Sequence, residues 1–154
     1  MMLFIVSTNC ATKPHVSKID ISKETHPKII FLNYNLSEDE NGKKTATFIN
    51  QKTVEGRLRN SSSKYIAQGH IGDLVCSQFD KNKALITKQA IENPLLKTIE
   101  YTNDSLAFEK KTIKTKKTPF SLRLQLSNAT KTIELSEIID SLQNTKSLII
   151  TKIN

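Results

Sequence analysis

The chain has 154 residues, 37% of them hydrophobic and 25% charged, with only four Gly and four Pro; this excludes collagen-like, low-complexity and wholly disordered classes and fits one domain. No apolar stretch approaches the ~20 residues that a membrane-spanning helix needs. Lys and Arg number 23 against 15 Asp and Glu, for a net charge of +8. However, 20 of these cations are Lys, and only Arg57, Arg59 and Arg123 offer the guanidinium fork that suits base edges and phosphates. With 18 Ile, 16 Thr and 4 Val, the side chains are those that suit pleated strands.

Residues 1–10 read Met1-Met2-Leu3-Phe4-Ile5-Val6-Ser7-Thr8-Asn9-Cys10, a short apolar run, then small and polar residues, then a Cys. This start resembles the end of a bacterial lipoprotein signal peptide, and the resemblance implies lipidation at Cys10 and a membrane anchor there. The competing reading is a first strand followed by an ordinary thiol. Residues 11–28 are polar, hold Pro14 and Pro27, and read as a tether. The single domain is then expected at 29–154.

Residues 29–36 predict a strand with Ile30, Leu32, Tyr34 and Leu36 buried, because these alternate with more polar neighbours. A turn follows at 37–43, where Asn41-Gly42 supplies the positive φ angles of a tight hairpin. The return strand begins at Thr45 with Ala46 and Phe48 inward. A further segment, 53–59, sets Val54 and Leu58 on one face around Gly56, a residue that marks a bulge or a close approach. Residues 60–64 read as a loop, and 65–68 and 73–79 as strands, the latter with Leu74 and Cys76 sharing a face. The turn at 80–83 leads to a strand at 84–91, and Asn93-Pro94 opens the next turn. Residues 95–101 alternate at Leu95, Ile99 and Tyr101, with a turn at 103–105 and a weaker, lysine-dominated strand at 106–115. Residues 120–126 carry the clearest alternation, with Phe120, Leu122, Leu124 and Leu126 on one side. Strands at 131–135 and 147–153 close the chain, and 136–142 could form one or two helical turns capped by Ser136.

About eight or nine short strands with at most that one helix predict an all-β antiparallel sandwich, immunoglobulin-like or jelly-roll. From Asp73 onward, the acidic turn, "IENPLLKTIEY", "PFSLRLQL" and the hairpin back resemble the β-sandwich modules of secreted and surface lipoproteins of bacteria. That resemblance implies an extracytoplasmic protein and no particular site residues.

Catalytic patterns are few. No GxSxG motif is present, two of the three His lie in the tether, and His70 has no sequence partner that would make it a general base. The calcium-loop spacing of Asp39 and Asn41 fails because Phe48 stands where the last carboxylate belongs. The glycines are scattered and cradle no phosphate, and Cys10 and Cys76 form no zinc or redox motif. No cofactor or metal is expected. The one charge run is Lys110, Lys111, Lys114, Lys116 and Lys117, a candidate patch for an anionic partner; as a strand it splits these lysines between two faces, the pattern of a protected sheet edge. Sequons at Asn35, Asn60, Asn103 and Asn128, and the Asp-Ser-Leu triplets at 104–106 and 140–142, agree with export.

Two functions compete on this reading. The first is a non-enzymatic structural or binding module of the cell envelope, secreted or anchored through Cys10, with an envelope protein or a glycan as partner. The alternative is a small basic β-barrel, cytoplasmic, that binds nucleic acid through residues 110–117; the scarcity of Arg and aromatics disfavours it.

Overall fold

The structure is a computed structural model that describes residues 26–59, 65–66, 68–102 and 104–153. Cys10, the leader and nearly all of the tether, as well as the loop expected at 60–64, lie outside the described residues. Among the described residues the fold is all-β, with ten strands in three antiparallel sheets, one strand being the two-residue Tyr65–Ile66.

Strand β1 (Lys28–Glu38) is the centre of the first sheet, between β2 (Lys44–Glu55) and β8 (Lys117–Leu126). Its alternation is realised in full: Ile30, Leu32, Tyr34 and Leu36 are completely buried. Pairing places Leu32 between Gln51 and Leu122, and Tyr34 between Phe48 and Phe120. The two segments expected after the first turn are one strand, β2, because Ile49 bulges out where Asn50 pairs with Asn33 and Phe48 with Tyr34. Phe48 is expected inward; it meets the Tyr34 ring edge-on at 5.9 Å but stays 38% exposed, since β2 is an edge strand with a neighbour on one side only. Gly56 fulfils the expected close approach, for a Cβ there would stand 3.3 Å from Ile29 Cδ1.

The second sheet runs β10 (Thr145–Lys152), β9 (Thr132–Ile138), β4 (Leu74–Phe79), β5 (Leu85–Ile91) and β3 (Tyr65–Ile66). Residues 136–138 finish β9 and 139–144 form a turn, so the helical turns expected at 136–142 are absent. The backbone of β9 is committed to ladders with β4 on one side and β10 on the other, which leaves no freedom for helical pairing. Both sheets contribute to one core. Ile30, Leu32, Tyr34, Leu36, Leu122 and Leu124 belong to the first sheet, and Leu74, Cys76, Ile91, Ile133 and Leu135 to the second. The Tyr34 and Thr151 hydroxyls are hydrogen-bonded at 2.8 Å across the core. Neither sheet closes on itself, so the fold is not the closed barrel of the nucleic-acid alternative.

The turn after β1 differs from the tight two-residue type. Gly42 alone has a left-handed φ (77°), Gly42 N–H donates to Asp39 O, and Asp39 N–H donates to Lys43 O. This is a three-residue loop, Glu40-Asn41-Gly42, in which a type I turn is followed by one left-handed residue.

Candidate interaction arm

The third sheet is a hairpin of β6 (Leu96–Thr102) and β7 (Phe108–Lys114), in which all fourteen residues are exposed. Its foot is well fixed. Pro94 denies the ladder a donor and starts the turn; Asn93 Oδ1 accepts the Leu95 N–H at 3.0 Å, Asn93 O accepts Leu96 N–H at 3.0 Å, and Leu95 itself is fully buried. On the return, Thr115 N–H donates to Leu95 O at 2.8 Å, and the Lys114 ammonium holds the carboxylate of Glu38 at the end of β1. A hollow of about 250 Å³, lined in part by Pro94, Leu96, Thr118 and Phe120, lies at this foot.

Beyond the foot the ladder joins the two strands to each other. Residues directly opposite in an antiparallel pair share a face. One face therefore carries Leu96 with Lys114, Thr98 with Thr112, Glu100 with Lys110, and Thr102 with Phe108. The Thr98 and Thr112 hydroxyls are 3.3 Å apart, and Lys110 pairs with Glu100 at 2.9 Å. The other face carries Lys97 with Ile113, Ile99 with Lys111, and Tyr101 with Glu109. The Tyr101 hydroxyl donates to Glu109 Oε2 at 2.7 Å, and this bond, with a smaller effect of desolvation, raises the phenol above its ordinary pKa. This second face is a stripe of Ile99, Tyr101 and Ile113 between lysines. At the far end Leu106 and Phe108 are 83% and 84% exposed, Leu106 with φ at 61°.

The five lysines expected as an anionic-partner patch are divided between the arm and the start of β8. Lys110 and Lys114 lie on one face of the arm, each in an ion pair, and Lys111 lies on the other. Lys116 is in the connection to β8, where its carbonyl accepts the Glu38 N–H, and Lys117 opens β8 opposite Ser37. The expected inward residues Ile99 and Tyr101 are each 43% exposed, on a two-stranded sheet that forms no ladder with the other two among the described residues. His70 projects into solvent, with Nδ1 3.5 Å from Asp73 Oδ2, and Asp73 is itself engaged by the N–H groups of His70 and Asn93. Cys76 is buried, and burial pushes its thiol up to about 12, away from reactivity. Among the described residues no cluster of three His, Cys, Asp or Glu could hold a metal.

Sequence reading passed over a buried polar group beneath the arm's foot. Lys44, at the start of β2, is 6% exposed, and its Nζ donates to Gly72 O and to Glu137 Oε1 of β9, both at 2.7 Å. Asn93 is also buried, and its Nδ2 would stand 3.8 Å from a Cβ placed on Gly72. Only one signal was available, that Lys44 continues the inward series of Ala46; its charge argues against burial.

Comparison of the chain with protein-family models, with curated proteins and with solved structures finds no match.

Proposed function

We propose that the chain is an exported β-sandwich module, immunoglobulin-like or jelly-roll, tethered to the cell envelope through Cys10, whose role is to bind a partner through the β6–β7 arm. The observation that carries this reading is the arm itself: two paired strands of seven residues each, all fourteen in water, with Ile99, Tyr101 and Ile113 in one stripe and Leu106 and Phe108 at the tip. Apolar side chains gathered on one projecting element mark a contact surface, whereas scattered ones need no explanation. A two-stranded ribbon is only marginally stable alone, so retaining one costs stability that a binding role repays. The leader-like start, the polar spacer and the Asp-Ser-Leu triplets support export.

Two measurements test the reading together. Metabolic labelling with a fatty-acid analogue should mark the full-length product, and Cys10→Ser should abolish the label. A photo-crosslinking residue at position 108 should give an adduct in the envelope fraction that the same residue at position 52, on β2, does not. An unlabelled, cytosolic product that yields no adduct sinks the proposal, and oligonucleotide binding that weakens steeply with salt would favour the basic alternative instead.

A further inference from the structure

A lysine is almost never buried without a strong reason, and Lys44 is buried among groups that form a reactive set. Its Nζ is held from two sides, by Gly72 O and Glu137 Oε1 at 2.7 Å each. The carboxamide of Asn93 faces the same small space: a Cβ on Gly72 would stand 3.3 Å from Lys44 Nζ and 3.8 Å from Asn93 Nδ2. Gly72 has a φ of 90° and leaves that space open. The Asn93 Oδ1 already accepts the Leu95 N–H at 3.0 Å, so a donor is in place for negative charge that develops on this oxygen. Pro94 follows Asn93 and has no N–H, so the chain's own next amide cannot attack the Asn93 side chain.

We propose that Lys44 and Asn93 are joined by an intramolecular amide bond, with Glu137 as the proton carrier. The Lys44 ammonium gives a proton to the Glu137 carboxylate, and the freed amine attacks Asn93 Cγ. The electron pair moves onto Oδ1, where the Leu95 N–H stabilises it. When the pair returns, the bond from Cγ to Nδ2 breaks, Glu137 delivers its proton to Nδ2, and the second proton on the attacking nitrogen leaves with it. One C–N bond forms and one breaks, nothing is oxidised or reduced, and an ammonium ion departs carrying the charge that Lys44 brought. Lys44 Nζ is held by Glu137, and both Nζ and Asn93 Nδ2 lie within 4 Å of the point where a Gly72 Cβ would stand; holding reactants together in a buried site makes such a reaction effectively unimolecular. The product would tie β2 of the first sheet to the foot of the arm and does not depend on what the arm binds.

The test is the intact mass of the purified, denatured full chain, with peptide mapping to separate this change from any processing of the N-terminus. The wild-type chain should be lighter by one ammonia and should yield a branched peptide linking Lys44 to Asn93. Glu137→Gln keeps a polar side chain but cannot take up and pass on the Lys44 proton, and it should restore the two separate peptides, as should Lys44→Arg. A wild-type chain in which Lys44 and Asn93 lie on separate peptides overturns the proposal, whether or not the variants fold. Loss of one water, with Lys44 joined to the carboxyl of Asp73 or Glu137, overturns Asn93 as the acceptor.

Discussion

Three aspartates organise three of the turns by one device. Asp39, Asp80 and Asp140 each accept N–H groups of their own turn through Oδ1, and the fourth residue of each turn is left-handed: Gly42, Lys83 and Gln143 with φ of 77°, 63° and 64°. At Asp140 the bonds from the side chain and backbone of Asn144 hold the carboxyl below its ordinary pKa. A left-handed φ costs a residue with a Cβ about 1–2 kcal/mol, and Gly nearly nothing. Gly42→Ala should therefore lower stability by about 1 kcal/mol, whereas Lys83→Gly should leave it unchanged or raise it by up to about 1 kcal/mol; urea unfolding of both variants checks the opposite signs. Asn41-Gly42 was legible as a turn because Gly is the cheap left-handed residue. The turn at 80–83 was legible too, but the left-handed φ at Lys83 was not, and at Gln143 neither the turn nor its φ was, since strand pairing on either side imposes them. Also at this scale, burial raises Tyr34 to about 12, although its bond to Thr151 acts the other way, and raises Cys76 to about 12. Both groups must stay neutral in the core. Their stabilising effect is complete below the unfolded pKa values of 9.0 and 10.0 and is lost as pH climbs from there through about 12. Urea midpoints should fall across that window, and Tyr34→Phe, despite the lost hydroxyl bond, should flatten the Tyr34 share of about 2–3 kcal/mol.

At the scale of the element, β1 and the arm show what side-chain alternation means. In β1 every second residue is apolar, the strand has a partner on both edges, and a second sheet lies against its inner face. Leu32→Ala should cost about 2–5 kcal/mol in equilibrium unfolding, the range for emptying a well-packed core position. Residues 95–101 show similar alternation at Leu95, Ile99 and Tyr101, yet only Leu95 is buried. Periodicity reports which side chains share a face and is silent on whether anything packs against it. Ile99→Ser combined with Ile113→Ser should consequently leave the thermal midpoint close to that of the wild type, with changes of about 0.5 kcal/mol or less per site. The crosslinked adduct from the arm should be lost in that variant, and a large drop in the midpoint would show that the arm belongs to the core after all.

In the whole molecule, the two large sheets are joined by polar ties as well as by apolar contact. Gln78 of β4 is buried; its Nε2 donates to Gln125 O of β8 at 2.9 Å, and its Oε1 accepts the Thr130 hydroxyl at 2.7 Å. Gln78→Leu would strand those partners without water, and unfolding should show a loss of about 1–3 kcal/mol despite the gain in apolar bulk. None of these ties was legible in the sequence. Gln78 stands 47 residues from Gln125, and Lys44 stands 93 from Glu137. By itself the sequence determined the all-β class, most strand positions, the buried faces of β1 and β8, and most of the places where the chain turns. All of these follow from rules that act within a few residues: the two-residue period of a strand, the stiffness of β-branched side chains, and the φ preferences of Gly and Pro. Only the tertiary structure decided that the sheets stay open, that residues 96–114 leave the core as an arm, and that a lysine is buried beside a carboxylate and a carboxamide. Those outcomes depend on which faces meet across the chain, and a polar side chain carries no local mark of the partner that makes its burial affordable.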